Sequence, residues 1–154
     1  MSSPLLCASY SHYAQCMLDA HRVTAEEVSG LVTQLPLSVE NMAALIESKL
    51  PTHHDAEQAM AEALRKTRVL VMLAMMEFDL SNPPTEQTLD VITQTVSALA
   101  DASTLSALDV AYRALTEIHG EPRSDSTGAA MPLWVMGMGK LSGRELNVSS
   151  DMDL

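Results

Sequence analysis

Residues 133–154 read LWVMGMGKLSGRELNVSSDMDL, and this stretch joins an apolar run, a glycine-rich turn and two acidic residues. Residues 133–136 have the length and the Val and Trp content of a short buried strand. Residues 137–143 contain three glycines, and a backbone without side chains can approach a ligand closely. The stretch therefore predicts one strand, a turn and the start of a second strand.

The two acidic residues, Asp151 and Asp153, lie two positions apart. In a strand they would point to the same face, with Cα atoms about 6.6 Å apart. Two carboxylates at this spacing repel each other unless a cation lies between them, and they can bind one or two hard metal ions. The alternative is a solvated turn after Ser149 and Ser150, because Asp-x-Asp alone is a common pattern.

The 18 residues from Gly137 to Leu154 resemble a family signature. The run is similar to the nucleotidyltransferase signature of the bifunctional glutamine synthetase adenylyltransferase/adenylyl-removing enzymes, which reads Gly-Met-Gly-Lys-Leu-Gly-Gly-x-Glu-Leu-Asn-x-Ser-Ser-Asp-Ile-Asp-Leu. That family carries two copies of the domain. The Gly-Met-Gly-Lys and Asn-x-Ser-Ser motifs of this chain resemble those of the N-terminal, adenylyl-removing copy. One departure is Ser142, which stands where the family has the first glycine of a pair.

The resemblance implies an α+β domain in which Mg²⁺ is held by Asp151, Asp153 and a third carboxylate on a later strand. It also implies that the nucleotide (ATP or ADP) and inorganic phosphate contact a set of turn residues: Gly139, Lys140, Ser142, Gly143, Ser149 and Ser150. Lys140 is equally well explained as a surface lysine, and the two serines as ordinary turn residues.

The activity implied by the resemblance is control of glutamine synthetase. This copy would remove AMP from a tyrosine of that enzyme by phosphorolysis, with inorganic phosphate attacking and ADP released, and the other copy would add AMP from ATP. The implied partners are glutamine synthetase and the PII signal protein.

Two other phosphate-binding patterns fit these glycines poorly. A dinucleotide-binding turn needs a long helix directly after the glycines, whereas residues 147–150 read Asn-Val-Ser-Ser and interrupt any helix early. A P-loop needs a Ser or Thr directly after Lys140 and a glycine five positions before Gly139, and the sequence has neither.

Composition excludes several classes of protein. The formal net charge of −11 argues against a nucleic-acid binder, which needs cations to displace phosphate counterions. No apolar run approaches 18 residues, so we expect no membrane span. Cys7 and Cys16 show no disulfide or metal spacing and indicate a reducing, cytoplasmic environment.

The segment before the signature predicts a helical bundle. Alanine, leucine and 11 methionines favour helix, and N-cap residues, prolines and a glycine C-cap mark the ends. We predict five helices, over residues 4–21, 24–33, 38–50, 55–80 and 85–119. The capping residues are Thr24 with Glu27, Ser38, Asp55, Thr85 and Gly120.

The predicted organisation is mainly α: a helical segment over residues 1–119, a linker over 120–131, and the start of the nucleotidyltransferase domain over 132–154. About 23 residues cannot close a sheet, so we expect a fragment of a larger enzyme that is inactive alone. The alternative function is a helical protein-interaction module without catalysis, in which residues 1–119 dock a partner.

Overall fold

A computed structural model describes residues 5–52, 55–148 and 150, and this part of the chain is mainly α-helical. Seven helices are formed there, in the following order: α1 Leu6–Tyr10, α2 His12–Asp19, α3 Ala25–Val32, α4 Val39–Ser48, α5 Ala56–Ser81, α6 Glu86–His119 and α7 Gly139–Ser142. The prediction of a mainly α protein is therefore confirmed.

The predicted helix ends are confirmed wherever a short-range cap marks them. Thr24 and Glu27 form a capping box at the start of α3, and the side chains of Ser38, Asp55 and Thr85 each accept a backbone N–H at the start of α4, α5 and α6. Gly120 ends α6 with a φ of +80°, a conformation that favours glycine. These caps depend on neighbouring residues alone, which is why the sequence predicts them.

The first predicted helix, residues 4–21, is interrupted in the structure. Ser11 adopts an extended conformation, and its hydroxyl accepts a hydrogen bond from the N–H of Ala14. It therefore ends α1 and caps α2. With this interruption, Cys7 and Ala14 lie in the core and Tyr10 is exposed.

Helix α5 lies at the centre of the bundle and packs against α1, α3, α4 and α6. Its second half supplies Leu70, Val71, Leu73, Ala74 and Met75 to the core. Burial of these side chains is the main source of stability expected for such a bundle.

Helix α6 is buried mainly in its middle, over residues 95–100 and at Ala102. Val96 and Leu99 lie in the core there, whereas Leu89 and Leu105, on either side, are 58% and 57% exposed.

The strand predicted at residues 133–136 is not formed in the structure. These residues have no regular secondary structure, and Leu133 and Trp134 are 61% and 82% exposed. A strand is stable only when a neighbouring strand satisfies its backbone groups. Over the described ranges, the sole β pairing is an isolated bridge between Arg123 and Ala130. The start of the second predicted strand falls mostly on residues 149 and 151–154, which lie outside the described residues.

The segment after the linker nevertheless contacts the helical bundle. Leu141 and Leu146 are 7% and 1% exposed and belong to the same apolar core as α5 and α6. The division into domains at residues 120–131 stays a prediction. Within the described residues, none of the helices has both the length and the apolar character needed to cross a membrane.

Candidate functional site

The glycine-rich turn folds into the short helix α7, and two of its glycines are favoured there, one by its backbone conformation and the other by a neighbouring side chain. Gly139 has a φ of +57°, which L-amino acids with a side chain rarely adopt. A Cβ on Gly137 would lie 2.6 Å from Cδ2 of the buried Leu141. Gly143, by contrast, has a right-handed helical conformation with a φ of −79° and could carry a side chain.

The predicted phosphate contacts Lys140 and Ser142 both lie on α7 and are exposed. Ser142 has no positive φ, so the serine in place of the family glycine fits the backbone without strain. In the described part of the chain, the Lys140 ammonium forms no ion pair. Lys140 is therefore accessible to an anionic ligand.

The turn between Asn147 and Ser150 positions the serine hydroxyl. The Ser150 hydroxyl donates to Asn147 Oδ1 over 2.9 Å, and Ser150 Oγ accepts a hydrogen bond from the Asn147 backbone N–H over 3.1 Å. The Ser150 N–H also donates to the Asn147 carbonyl over 3.1 Å. This reciprocal pairing is turn chemistry of the kind expected of Asn and Ser.

The remaining predicted site residues, Ser149, Asp151 and Asp153, lie outside the described residues. Among the residues that the structure does describe, no group of three or more His, Cys, Asp or Glu side chains could hold a metal ion. The predicted Mg²⁺ ligands thus stay a prediction from the sequence.

The structure brings the signature together with two arginines that the sequence reasoning missed. A cleft of about 500 Å³ lies between α5, α6 and the segment after α7. Its polar lining includes Arg65 and Arg68 from α5, Ser103 from α6, and Asn147 and Ser150 from the signature. Its apolar lining is formed by Leu64, Met72, Val96, Leu99, Ala100, Leu146 and Val148.

A local signal for these arginines is present in the sequence of α5. Arg65 and Arg68 are three positions apart and share one helix face, and the nearest acidic residue on that helix is Glu62, three positions before Arg65. Lys66, which lies between the arginines, forms an ion pair with Glu62 over 2.6 Å. Two like charges on one face with a single acidic neighbour indicate an anion site, but only the fold shows that this face meets the signature.

Cys7 is buried in the core and is not a reactive thiol. Its N–H donates to Glu77 Oε2 over 2.8 Å. Burial, together with the neighbouring Glu77 carboxylate, raises the pKa of the Cys7 thiol to about 11. The thiol therefore stays protonated at neutral pH. Cys7 is a small core residue, and its backbone N–H links α1 to Glu77 on α5.

Comparisons with known proteins agree with the signature. The family described as glutamate-ammonia ligase adenylyltransferase matches residues 5–154. A bifunctional glutamine synthetase adenylyltransferase/adenylyl-removing enzyme of Ralstonia nicotianae is 39% identical over 150 residues, which cover 95% of this chain and 15% of that protein. The protein of the same name from Burkholderia mallei is 37% identical over 157 residues, covering 99% of this chain and 16% of the relative.

The chain spans about 15% of the length of these curated relatives. No solved structure matches it. Since the family match extends from Leu5 to the last residue and includes the whole signature, the chain belongs to the glutamate-ammonia ligase adenylyltransferase family.

Proposed function

We propose that this chain forms part of an enzyme that regulates glutamine synthetase, and that it contributes the helical segment and the opening of the adenylyl-removing domain. The observation that carries the proposal is the signature at residues 137–154 within a chain whose family match is nearly complete. The reaction is phosphorolysis: phosphate attacks the phosphorus of a tyrosine-bound AMP, the tyrosine oxygen leaves, and ADP is released.

The proposed metal is Mg²⁺, held by Asp151, Asp153 and a further carboxylate elsewhere in the enzyme. When bound, it would neutralise charge on the transferring phosphoryl group and orient the attacking and leaving oxygens. Paired carboxylates are the donors that Mg²⁺ prefers, so the residue types fit the ion. The described residues support the adjoining phosphate contacts, because Lys140 is exposed and the Ser150 hydroxyl is held in a fixed turn.

The proposed substrates and partners follow from the same assignment. Adenylylated glutamine synthetase and inorganic phosphate are the substrates of this domain, ATP serves the opposite reaction in the other copy, and the PII protein is the regulatory partner. Two free cysteines, Cys7 and Cys16, support a location in the reducing cytoplasm.

A chimera tests this proposal. The matching 150 residues of the Ralstonia nicotianae relative are replaced by the corresponding residues of this chain, and ADP release from adenylylated glutamine synthetase is measured with phosphate and Mg²⁺. We expect a folded chimera to release ADP. A chimera with native-like circular dichroism and no ADP release would contradict the proposal.

We propose that the chain by itself is inactive. It corresponds to about 15% of the relatives' length, and the third carboxylate that would join Asp151 and Asp153 is expected elsewhere in the enzyme. In addition, the described residues form no β-sheet. The same ADP assay, run with the 154-residue chain alone, tests this. We expect no release above that of glutamine synthetase without added protein, and sustained Mg²⁺-dependent release would refute the expectation.

A second candidate function is docking of a partner by the helical segment. Leu105, Leu108, Tyr112 and Leu115 follow one another at intervals of three or four positions and so form one face of α6. Leu105 and Leu115 are both 57% exposed, which leaves apolar area available for glutamine synthetase.

This second function predicts that the full chain captures glutamine synthetase and that Leu105→Glu with Leu115→Glu abolishes capture. Leu133→Glu is the matched control, since Leu133 is equally exposed, at 61%, but lies in the irregular segment. Equal capture by all three proteins would contradict a docking role for α6.

A further inference from the structure

The cleft beside the signature carries an unusual balance of charge. The chain has 20 acidic and nine basic residues, yet no Asp or Glu is found among the described residues that line the cleft. Two of the nine basic residues, Arg65 and Arg68, do line it. Among the described residues, the charged side chains that line the cleft are thus two arginines, next to the predicted phosphate-handling motif.

The guanidinium groups of Arg65 and Arg68 have no ionic partner over the described ranges. The ion pairs found there use Lys49, Lys66, Arg113 and Arg123. Two guanidinium groups on one face of a helix repel each other, and that repulsion is relieved when an anion lies between them.

The apolar lining strengthens this attraction. Leu64, Leu99 and Leu146 form much of the cleft wall, and charges beside low-dielectric walls act more strongly on a ligand than charges on an open surface. Hydroxyl and amide groups of Ser103 and Asn147 lie around the same cleft and suit the oxygens of a tetrahedral oxyanion.

We propose that Arg65 and Arg68 form an anion site that binds a phosphate group at the junction of the helical segment and the signature. The inference deepens the proposed function, on which it rests for the choice of phosphate among oxyanions. It assigns to α5 a role in binding phosphate, so the helical segment is part of the ligand site as well as a support for the catalytic domain.

Direct binding to the 154-residue chain tests the site without Mg²⁺ and without catalysis. Inorganic phosphate and ADP are titrated separately, by calorimetry and by changes in the amide NMR signals of Asn147 and Ser150. Binding of phosphate alone assigns the site to free phosphate, and binding of ADP assigns it to a nucleotide phosphate. Both results support the proposal, whereas failure of both ligands to bind at millimolar concentration overturns it.

The variants are Arg65→Gln and Arg68→Gln, with Arg22→Gln as the matched control, because Arg22 is also exposed but lies away from the cleft. We expect each cleft variant to weaken binding about ten- to a hundredfold, and the control to bind normally. Arg65→Lys and Arg68→Lys retain the charge and should recover part of the affinity, which also guards against a folding defect in the glutamine variants. Equal binding by the glutamine variants and the control would overturn the proposal.

The same experiment separates this inference from the proposed catalytic function. Asp151→Asn removes a proposed metal ligand but leaves both arginines in place, so phosphate binding without Mg²⁺ should persist in that variant. Loss of binding in Arg68→Gln together with normal binding in Asp151→Asn supports the site whether or not the chimera releases ADP. Loss of binding in Asp151→Asn and not in Arg68→Gln would overturn it.

Discussion

Leu146 is the side chain through which the signature is most firmly attached to the helical bundle, and its replacement tests that attachment. It is 1% exposed and lies against α5 and α6 at the cleft. Replacement by alanine removes buried apolar surface and leaves a cavity, and such changes cost about 2–5 kcal/mol. For a chain of this size, that corresponds to a fall in Tm of about 4–20 °C.

Thermal unfolding followed by circular dichroism measures the change, and Leu133→Ala provides the control. Leu133 is 61% exposed, so its truncation should change stability by no more than about 0.5 kcal/mol. Hydrogen exchange adds a local readout: the Glu145 N–H, which donates to the Lys140 carbonyl over 2.8 Å, should exchange faster in Leu146→Ala. If neither Tm nor this exchange rate differs from the control, the signature is not anchored by Leu146.

Three further changes test individual contacts. Gly137→Ala should lower stability by about 1–3 kcal/mol because its Cβ would overlap the Leu141 side chain, whereas Gly143→Ala should change it little; urea unfolding compares the two, and equal midpoints would refute the contact. Glu77→Gln should lower stability by about 1–2 kcal/mol in the same assay, since it weakens the charged hydrogen bond to the Cys7 N–H. The pKa of the Glu27 carboxyl is lowered mainly by its hydrogen bond with Lys49, so the contribution of this carboxylate to stability is present above about pH 4.5 and is lost as the pH falls further. Lys49→Met should therefore flatten this part of the stability–pH curve by less than about 1 kcal/mol. An unchanged curve would refute the coupling.

The helices of this fold could be predicted because their ends are determined locally. Thr24 with Glu27, Ser38, Asp55 and Thr85 each cap a helix through a residue three positions away. Ser11 acts in the same way, and attention to its capping ability would have divided the first helix correctly.

The features that could not be predicted depend on contacts between distant residues. A strand at residues 133–136 needs a partner strand, and its apolar composition says nothing about where that partner lies. The exposure of Leu105 depends on which helices cover α6. The cleft joins Arg65 to Ser150, 85 positions apart, so its existence follows only from the packing of the signature on α5.

The glycines of the signature include one feature that the sequence predicts and one that it does not. Their presence predicts a tight turn, and the positive φ of Gly139 agrees with that prediction. The need for glycine at position 137 arises instead from the buried side chain of Leu141, which the sequence alone does not place.

The central claim is that Asp151 and Asp153 hold the metal ion that acts on phosphate. The most direct measurement is Mg²⁺-dependent ADP release by the chimera carrying Asp151→Asn or Asp153→Asn, compared with Asp125→Asn in the exposed linker. Loss of a metal ligand should lower the rate by about 10²–10³-fold, and the linker variant should retain full activity. Equal rates in all three chimeras would contradict the claim.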